Sequence, residues 1–220
     1  MRIAAEGMPV PKRRLYPIVF GVVLAVACST LLKTLDAALG SRIERNRTYD
    51  RRKNVVLVFV GRDEFARMDQ RQIEAVYKEK TEEVAADGEG IAYYRYMDPA
   101  TGKAVAYAFP LEGMGLWDKV KGLMAVEPDL NTVRGVSFYE QAETPGLGGR
   151  IGEAEWASRF DGKKLADATG SLALQITKAG AADPKSPNQI DGITAATMTG
   201  DAVNRLMQAS AKRFLEKVKS

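Results

Sequence analysis

The sequence predicts an α/β domain of the α+β type: a mixed, antiparallel-rich sheet with flanking helices, preceded by one N-terminal transmembrane helix. Three observations support this fold class. An uncharged run of 18 residues lies near the N-terminus, at residues 15–32. Short segments rich in β-branched and aromatic residues follow in the middle of the chain, and the last segment is apolar at helical spacing.

The apolar run LYPIVFGVVLAVACSTLL follows the basic residues 12–14 and ends at Lys33. At about 1.5 Å per residue, such a helix nearly spans the ~30 Å of bilayer hydrocarbon. Two alternatives compete. The AVA at 25–27 resembles a signal peptidase site, although the apolar run continues past it, and Cys28 could be a lipidated cysteine. We expect an uncleaved anchor, with a tail at 1–14, a transmembrane helix at 15–35, a stalk or linker at 36–53 and a domain at 54–220.

The elements of this domain follow from local patterns. VVLVFV at 55–60 reads as a strand or as a buried helix turn, and 63–82 has helical spacing. Segments 91–97 and 103–110, joined by the turn sequence DPATG, predict a hairpin. Segments 132–141 and 171–178 alternate like strands. An amphipathic helix closes the chain, and its apolar stripe comprises Val203, Leu206, Met207, Ser210, Phe214, Leu215 and Val218.

The composition excludes several kinds of chemistry. The net charge is only +4, and the basic residues are scattered or lie near the apolar run, which argues against a nucleic-acid partner. Histidine is absent, which excludes imidazole-based catalysis and histidine-based zinc sites. The single cysteine excludes an intrachain disulfide and a thiolate cluster. We therefore predict no metal site and no catalytic side chain, and any redox chemistry must come from an organic cofactor.

Two short segments are candidate binding elements. ETPGLGGR at 143–150 contains a Pro-Gly turn and a Gly-Gly pair that lets backbone approach a flat or anionic group, although a tight loop would use the same residues. DGITAATMTG at 191–200 precedes the last helix. Thr199 is placed to cap that helix, and a phosphate on Thr197 would lie near the positive end of the helix dipole. An ordinary threonine-rich helix cap is the structural alternative.

The segment Asp191–Thr197 resembles the flavinylation signal of proteins that carry FMN in phosphoester linkage to the last threonine. Segments 113–151 and 154–165 occur in the same order and spacing as in the C subunit of the Na⁺-translocating NADH:quinone reductase. The chain therefore resembles this family from about Gly113 onward. The related G subunit of the ferredoxin:NAD⁺ oxidoreductase complex is one alternative, and a membrane-anchored binding or assembly domain without flavin is another.

The resemblance implies a cofactor and a cellular place. A flavin transferase would attach the FMN moiety of FAD to Thr197, with Asp191 helping it to recognise the site. The flavin would relay electrons between other membrane subunits as part of an NADH:ubiquinone reductase that exports sodium. The chain would be a single-pass protein of the bacterial inner membrane, with a cytoplasmic N-terminus and a periplasmic domain. The basic residues on both sides of the apolar run do not decide this orientation by themselves.

The resemblance also implies the residues around the flavin. The isoalloxazine ring would lie against the loop at 143–148, with a further wall at 115–117. Because aromatic burial explains most tryptophans, Trp117 and Trp156 are also expected in the core. Ala195 stands where the family usually has glycine, and we expect the position to need small size rather than a positive φ. The expected FMN contacts, besides Thr197, are Glu143, Thr144, Gly146, Leu147, Gly148, Gly115, Leu116, Trp117, Asp191, Thr194 and Thr199.

Overall fold

The computed structural model describes residues 12–88 and 90–219. The predicted tail at 1–14 lies outside these residues, except for its last three, whose backbone belongs to the first helix. The chain divides into two compact units, and the boundary falls between Thr48 and Tyr49. Helix α1, Lys12–Val60, supplies the described part of the first unit and continues into the second.

The first unit presents its apolar side chains to the surroundings. The side chains of residues 15–32 are all exposed. Among the described helices, only the one that contains this run is long and apolar enough to cross a membrane. The first unit therefore fits a single-pass membrane anchor.

Residues 55–60 are the last turns of α1, so the predicted strand is wrong and its alternative, a buried helix turn, is confirmed. Val55, Val56, Val58 and Phe59 are at most 1% exposed. Burying each of these side chains contributes about 1.5–3 kcal/mol, whereas valine or phenylalanine in a helix costs at most about 0.7 kcal/mol. Burial therefore decides the conformation of this segment against its local preference for strand.

The predicted helix at 63–82 is interrupted. A short α2, Arg62–Phe65, precedes α3, Gln70–Lys80. Asp69 begins α3 with a capping box: its carboxylate accepts a hydrogen bond from the Gln72 amide, and the Gln72 side chain accepts one from the Asp69 amide, both at 2.8 Å. The chain turns at this cap, so residues 63–69 and 70–80 do not form one helix.

The second unit is built on one antiparallel sheet. Its five strands are β1 (Thr81–Ala85), β2 (Ile91–Met97), β3 (Ala104–Met114), β4 (Lys119–Val126) and β5 (Val133–Glu140), and they neighbour one another in sequence order. The hairpin predicted from 91–110 and the strand predicted at 132–141 are confirmed as β2–β3 and β5. The sequence patterns did not predict β1 or β4. The expected fold class is confirmed.

Side chains alternate across this sheet and face two helical layers. On β3, Ala106 and Ala108 pack with the end of α1 and with α3, whereas Phe109 and Leu111 pack with α5, Thr197–Lys219. The Phe109 and Phe214 rings stack with centroids 4.5 Å apart. The predicted final helix is confirmed, and it covers one face of the sheet.

The segment between β5 and α5 is mostly irregular. It contains 3-10 helices at Gly148–Gly152 and Ser158–Phe160, the short α4 at Ala154–Ala157, and two parallel strands, β6 (Gln175–Ile176) and β7 (Gln189–Ile190). The strand predicted at 171–178 is therefore wrong except at Gln175 and Ile176. The amides of Ala173 and Leu174 both donate to the Leu165 carbonyl of a neighbouring loop, so this part of the segment joins no sheet.

Candidate functional site

The segment that resembles the attachment signal leads directly into α5. Thr197 is the first residue of the helix and is exposed to solvent. The amide of Gly200 donates to the Ala196 carbonyl at 3.0 Å, while the earlier amides of a helix have no intrahelical partner. Thr197 thus lies at the end of the helix where free backbone N–H groups can stabilise an anion.

Ala195 has a φ of 60°, in the left-handed region that L-residues other than Asn and Asp seldom adopt. The expectation that this position needs only small size is therefore wrong. The left-handed residue lets the Ala196 amide donate to the Ile193 carbonyl at 3.1 Å, which turns the chain into the helix. A glycine would adopt this conformation without strain.

Glu143 connects three parts of the site. Its side chain is buried, and Oε1 accepts hydrogen bonds from the amides of Leu116 at 2.7 Å and Trp117 at 3.3 Å. Its Oε2 accepts a hydrogen bond from the Thr199 hydroxyl at 2.7 Å. One carboxylate thereby joins the β3–β4 loop, the loop that follows β5 and the first turn of α5.

Two glycines make room for this carboxylate. A Cβ at Gly115 would lie 2.4 Å from Oε1 of Glu143, and a Cβ at Gly148 would lie 2.9 Å from its Oε2. The Cβ at Gly148 would also lie 2.4 Å from the Thr199 hydroxyl oxygen. A side chain at either position would therefore force the Glu143 carboxylate, or its partner Thr199, to move.

Thr199 does not cap the helix, and that prediction is wrong. The helix begins two residues earlier, so the Thr199 side chain points into the protein and is 2% exposed. Its hydroxyl donates a hydrogen bond to Oε2 of Glu143. Thr194, by contrast, is exposed in the turn that precedes Ala195.

The loop at 143–149 turns as its sequence predicts. Gly146 has a φ of 75°, and the Thr144 carbonyl accepts hydrogen bonds from the amides of Leu147 at 3.1 Å and Gly149 at 2.9 Å. Thr144 and Leu147 are exposed at the surface of this turn.

Large apolar side chains are exposed around these contacts. Outside α1, the exposed large hydrophobic residues of the described chain all belong to the segments that Glu143 joins, or directly adjoin its partners. Trp117 is 68% exposed, so its expected place in the core is wrong, whereas Trp156, at 2%, is a core residue as expected. We name the set the apolar rim: Met114, Leu116, Trp117, Leu147 and Met198.

Asp191 occupies a different position from the rest of the predicted site. Its Oδ1 accepts a hydrogen bond from the Gly180 amide at 2.7 Å, and its Oδ2 lies 3.6 Å from the Arg159 guanidinium. Its carbonyl accepts a hydrogen bond from the Trp156 indole at 3.1 Å. Asp191 therefore fixes the start of the attachment segment, and its side chain remains 37% exposed.

The structure brings most of the predicted residues together. Glu143 contacts Leu116, Trp117, Gly115, Gly148 and Thr199, while Thr144, Gly146 and Leu147 share its loop, and Thr197 lies two residues before Thr199. The sequence reasoning missed Met114 and Met198. Met114 directly precedes the predicted Gly115, and Met198 directly follows the predicted Thr197. Their position beside predicted residues is the sequence feature that could have identified them.

A separate cleft of about 570 Å³ lies between the β1–β2 turn, β3 and the second half of α5. Ser210, which lines it, is 13 residues beyond Thr197, or about 20 Å along the helix. This cleft is not part of the candidate site.

Residues 115–212 match the family described as the FMN-binding domain. The chain is 43% identical over 115 residues to the C subunit of the Na(+)-translocating NADH-quinone reductase of Pseudomonas aeruginosa, a match that covers 51% of this chain and 44% of that protein. The corresponding C subunit of Neisseria meningitidis serogroup A is 42% identical over 102 residues, a match that covers 46% of this chain and 39% of that protein. The matched segment thus spans less than half the length of these curated relatives.

The similar solved structures include two C subunits. The crystal structure of Shewanella oneidensis NqrC has a TM-score of 0.53 and 32% identity, covering 64% of this chain and 70% of that one. The crystal structure of the C subunit from Parabacteroides distasonis has a TM-score of 0.66 and 26% identity, and it covers 83% of this chain and 98% of that one. The family resemblance inferred from the motifs is therefore confirmed, and the chain belongs to the family of the C subunit of the Na⁺-translocating NADH-quinone reductase.

Proposed function

We propose that this chain is a membrane-anchored flavoprotein subunit of a Na⁺-translocating NADH:quinone reductase, with FMN attached through a phosphoester to Thr197. The observation that carries the proposal is the position of Thr197, an exposed hydroxyl at the first residue of a 23-residue helix, one residue before the apolar rim residue Met198. The match of residues 115–212 to the FMN-binding domain family supports the same cofactor.

The residues present fit FMN. A tricyclic ring needs an exposed apolar surface. In the described part of the second unit, the exposed large hydrophobic side chains are those of the apolar rim. A phosphate needs N–H donors and a positive potential, which the first turn of α5 supplies. Leu116, Trp117 and Leu147 would contact the ring, and Thr144, Gly146 and Gly148 would border it.

Accessibility favours Thr197 over its neighbours as the attachment residue. Thr199 is buried, and its hydroxyl is bonded to Glu143. Thr194 is exposed, but it belongs to the turn with Ala195 and lies three residues before the helix begins. Thr197 alone of the three combines an exposed hydroxyl with the first turn of α5.

The chain's own residues would bind, orient and shield the cofactor. When bound, FMN supplies electron transfer in steps of one or two electrons. The apolar rim would exclude water from one side of the ring, and the helix amides would hold the phosphate. The 37% exposed side chain of Asp191 would be one feature that the flavin transferase recognises.

The proposed cellular role extends the family membership. We place residues 15–35 in the bacterial inner membrane, residues 1–14 in the cytoplasm and residues 54–220 in the periplasm, with 36–53 as the linker. The protein would relay electrons that originate at NADH and end at quinone, in a complex with other membrane subunits that exports sodium. The name of the curated relatives supports this role.

The test is to express the full chain in a host that supplies the transferase. Trypsin releases residues 186–205 as one peptide that contains Thr194, Thr197 and Thr199, so fragmentation must locate the adduct. We expect the mass of FMN less one water on Thr197, and a fluorescent band after denaturing electrophoresis. The substitution Thr197→Ala should abolish both signals, while Thr169→Ala, at an exposed threonine outside the attachment segment, should keep them.

An unmodified wild-type peptide would instead support a membrane-anchored domain without flavin. The intact mass of the same preparation also tests the anchor, because a cleaved signal sequence would shorten the chain at about residue 27 or 28.

A further inference from the structure

Glu143 is a buried carboxylate without a cationic partner. It is 5% exposed, and no ion pair within residues 12–88 and 90–219 includes it. Its oxygens accept three hydrogen bonds from two backbone amides and one hydroxyl. All three partners can act as donors, which suits an ionised carboxylate.

The surroundings of this carboxylate are closed on two sides. Gly115 and Gly148 approach its two oxygens so closely that a Cβ at either position would overlap them. A group held this tightly cannot change rotamer without moving the β3–β4 loop or the first turn of α5. Both segments carry residues of the apolar rim, namely Leu116 and Trp117 on one and Met198 on the other.

We propose that Glu143 is a positioning residue that fixes the 115–117 wall against the attachment helix and lowers the reduction potential of the flavin. The inference rests on the proposed function. The positioning part follows from the three hydrogen bonds, which set the distance between the wall and the segment that carries Thr197. The electrostatic part follows because a buried negative charge that forms no ion pair with the described residues opposes the arrival of further negative charge nearby.

Variants at Glu143 separate the two effects. Glu143→Gln keeps the size of the side chain, can accept from the Leu116 and Trp117 amides and can donate to the Thr199 hydroxyl, but it removes the charge. Glu143→Ala removes both the hydrogen bonds and the charge. Glu216→Gln is the matched control, since it removes an exposed carboxylate 19 residues beyond Thr197 on the same helix.

The first measurement uses the full chain in detergent micelles, expressed without the flavin transferase, and follows amide hydrogen exchange at Leu116 and Trp117. We expect exchange to be roughly tenfold faster in Glu143→Ala, because a hydrogen bond to a charged acceptor is lost, and nearly unchanged in Glu143→Gln. If Glu143→Ala does not fold, Thr199→Val and Thr199→Ser replace it, with faster exchange expected for Val alone. Wild-type exchange rates in Glu143→Ala, or in Thr199→Val, would overturn the positioning role.

The second measurement is a spectroscopic redox titration of the flavin-loaded full chain. We expect Glu143→Gln to shift the midpoint potential to more positive values and Glu216→Gln to leave it at the wild-type value. An unchanged potential in Glu143→Gln would overturn the electrostatic role. A wild-type chain without flavin would contradict the proposed function, while the exchange measurement would still decide the positioning role.

Discussion

The left-handed conformation of Ala195 predicts that Ala195→Gly stabilises the protein. A non-glycine residue in this region costs about 1–2 kcal/mol, whereas a new glycine costs about 0.4–1 kcal/mol through greater freedom of the unfolded chain. The difference is a net gain of about 0.5–1 kcal/mol in the free energy of unfolding. For a unit the size of residues 49–220, this raises the Tm by about 1–4 °C.

The assay is thermal unfolding of the full chain in detergent micelles, followed by tryptophan fluorescence, because Trp156 is buried in the core. Ala181→Gly is the control. Ala181 is exposed and has no positive φ, so the same substitution there should lower the Tm. The reasoning is refuted if Ala195→Gly lowers the Tm in the same way as Ala181→Gly.

Two further predictions concern the core and the pH dependence of stability. Phe214→Ala should lower the free energy of unfolding in urea by about 3–5 kcal/mol, because it removes the ring that stacks on Phe109. Lys212→Ala, at an exposed position of the same helix, should change this free energy little. A small effect of Phe214→Ala would show that α5 does not cover the sheet. Burial raises the pKa of Asp129, but hydrogen bonds from Thr132 and Asn131 outweigh this effect and lower the pKa from 3.8 to about 2. The ionised carboxylate therefore stabilises the fold above pH 3.8, and this stabilisation is lost as the pH falls towards 2. Asp129→Asn should therefore lower the free energy of unfolding at pH 7, with a deficit that shrinks between pH 4 and pH 2, and a deficit that stays constant over this range would contradict the assignment.

The parts of the fold that the sequence predicted are those in which local pattern and burial agree. The hairpin at 91–110 combines strand residues with a strong turn signal, and α5 has an apolar stripe from Val203 to Val218, or about four turns. The prediction of a strand at 55–60 failed because the β-branched composition favours a strand, whereas these residues pack against the sheet as part of a helix. The strand prediction at 171–178 failed because alternation does not reveal whether a partner strand exists, and here the amides of Ala173 and Leu174 bond to a loop.

The candidate site shows the same division. The motifs at 143–150 and 191–197 identified the two loops, and with them Glu143, Gly148 and Thr197. The hydrogen bonds from Leu116 and Thr199 to Glu143 join residues 27 and 56 positions away, so no local pattern could reveal them. The φ of Ala195 was misjudged because alanine gives no sign of a left-handed conformation, which a glycine would have indicated.

The order of the sheet has a consequence for how the chain folds. Each strand pairs with the next one in sequence, so successive hairpins can form early through short-range contacts and small loop-closure entropy. Helix α5 follows the sheet in the chain, and its Leu206, Met207 and Phe214 complete one half of the core. Because the buried Thr199 hydroxyl donates to Glu143, the first turn of α5 reaches its final surroundings only when this helix packs against the sheet and the loop after β5.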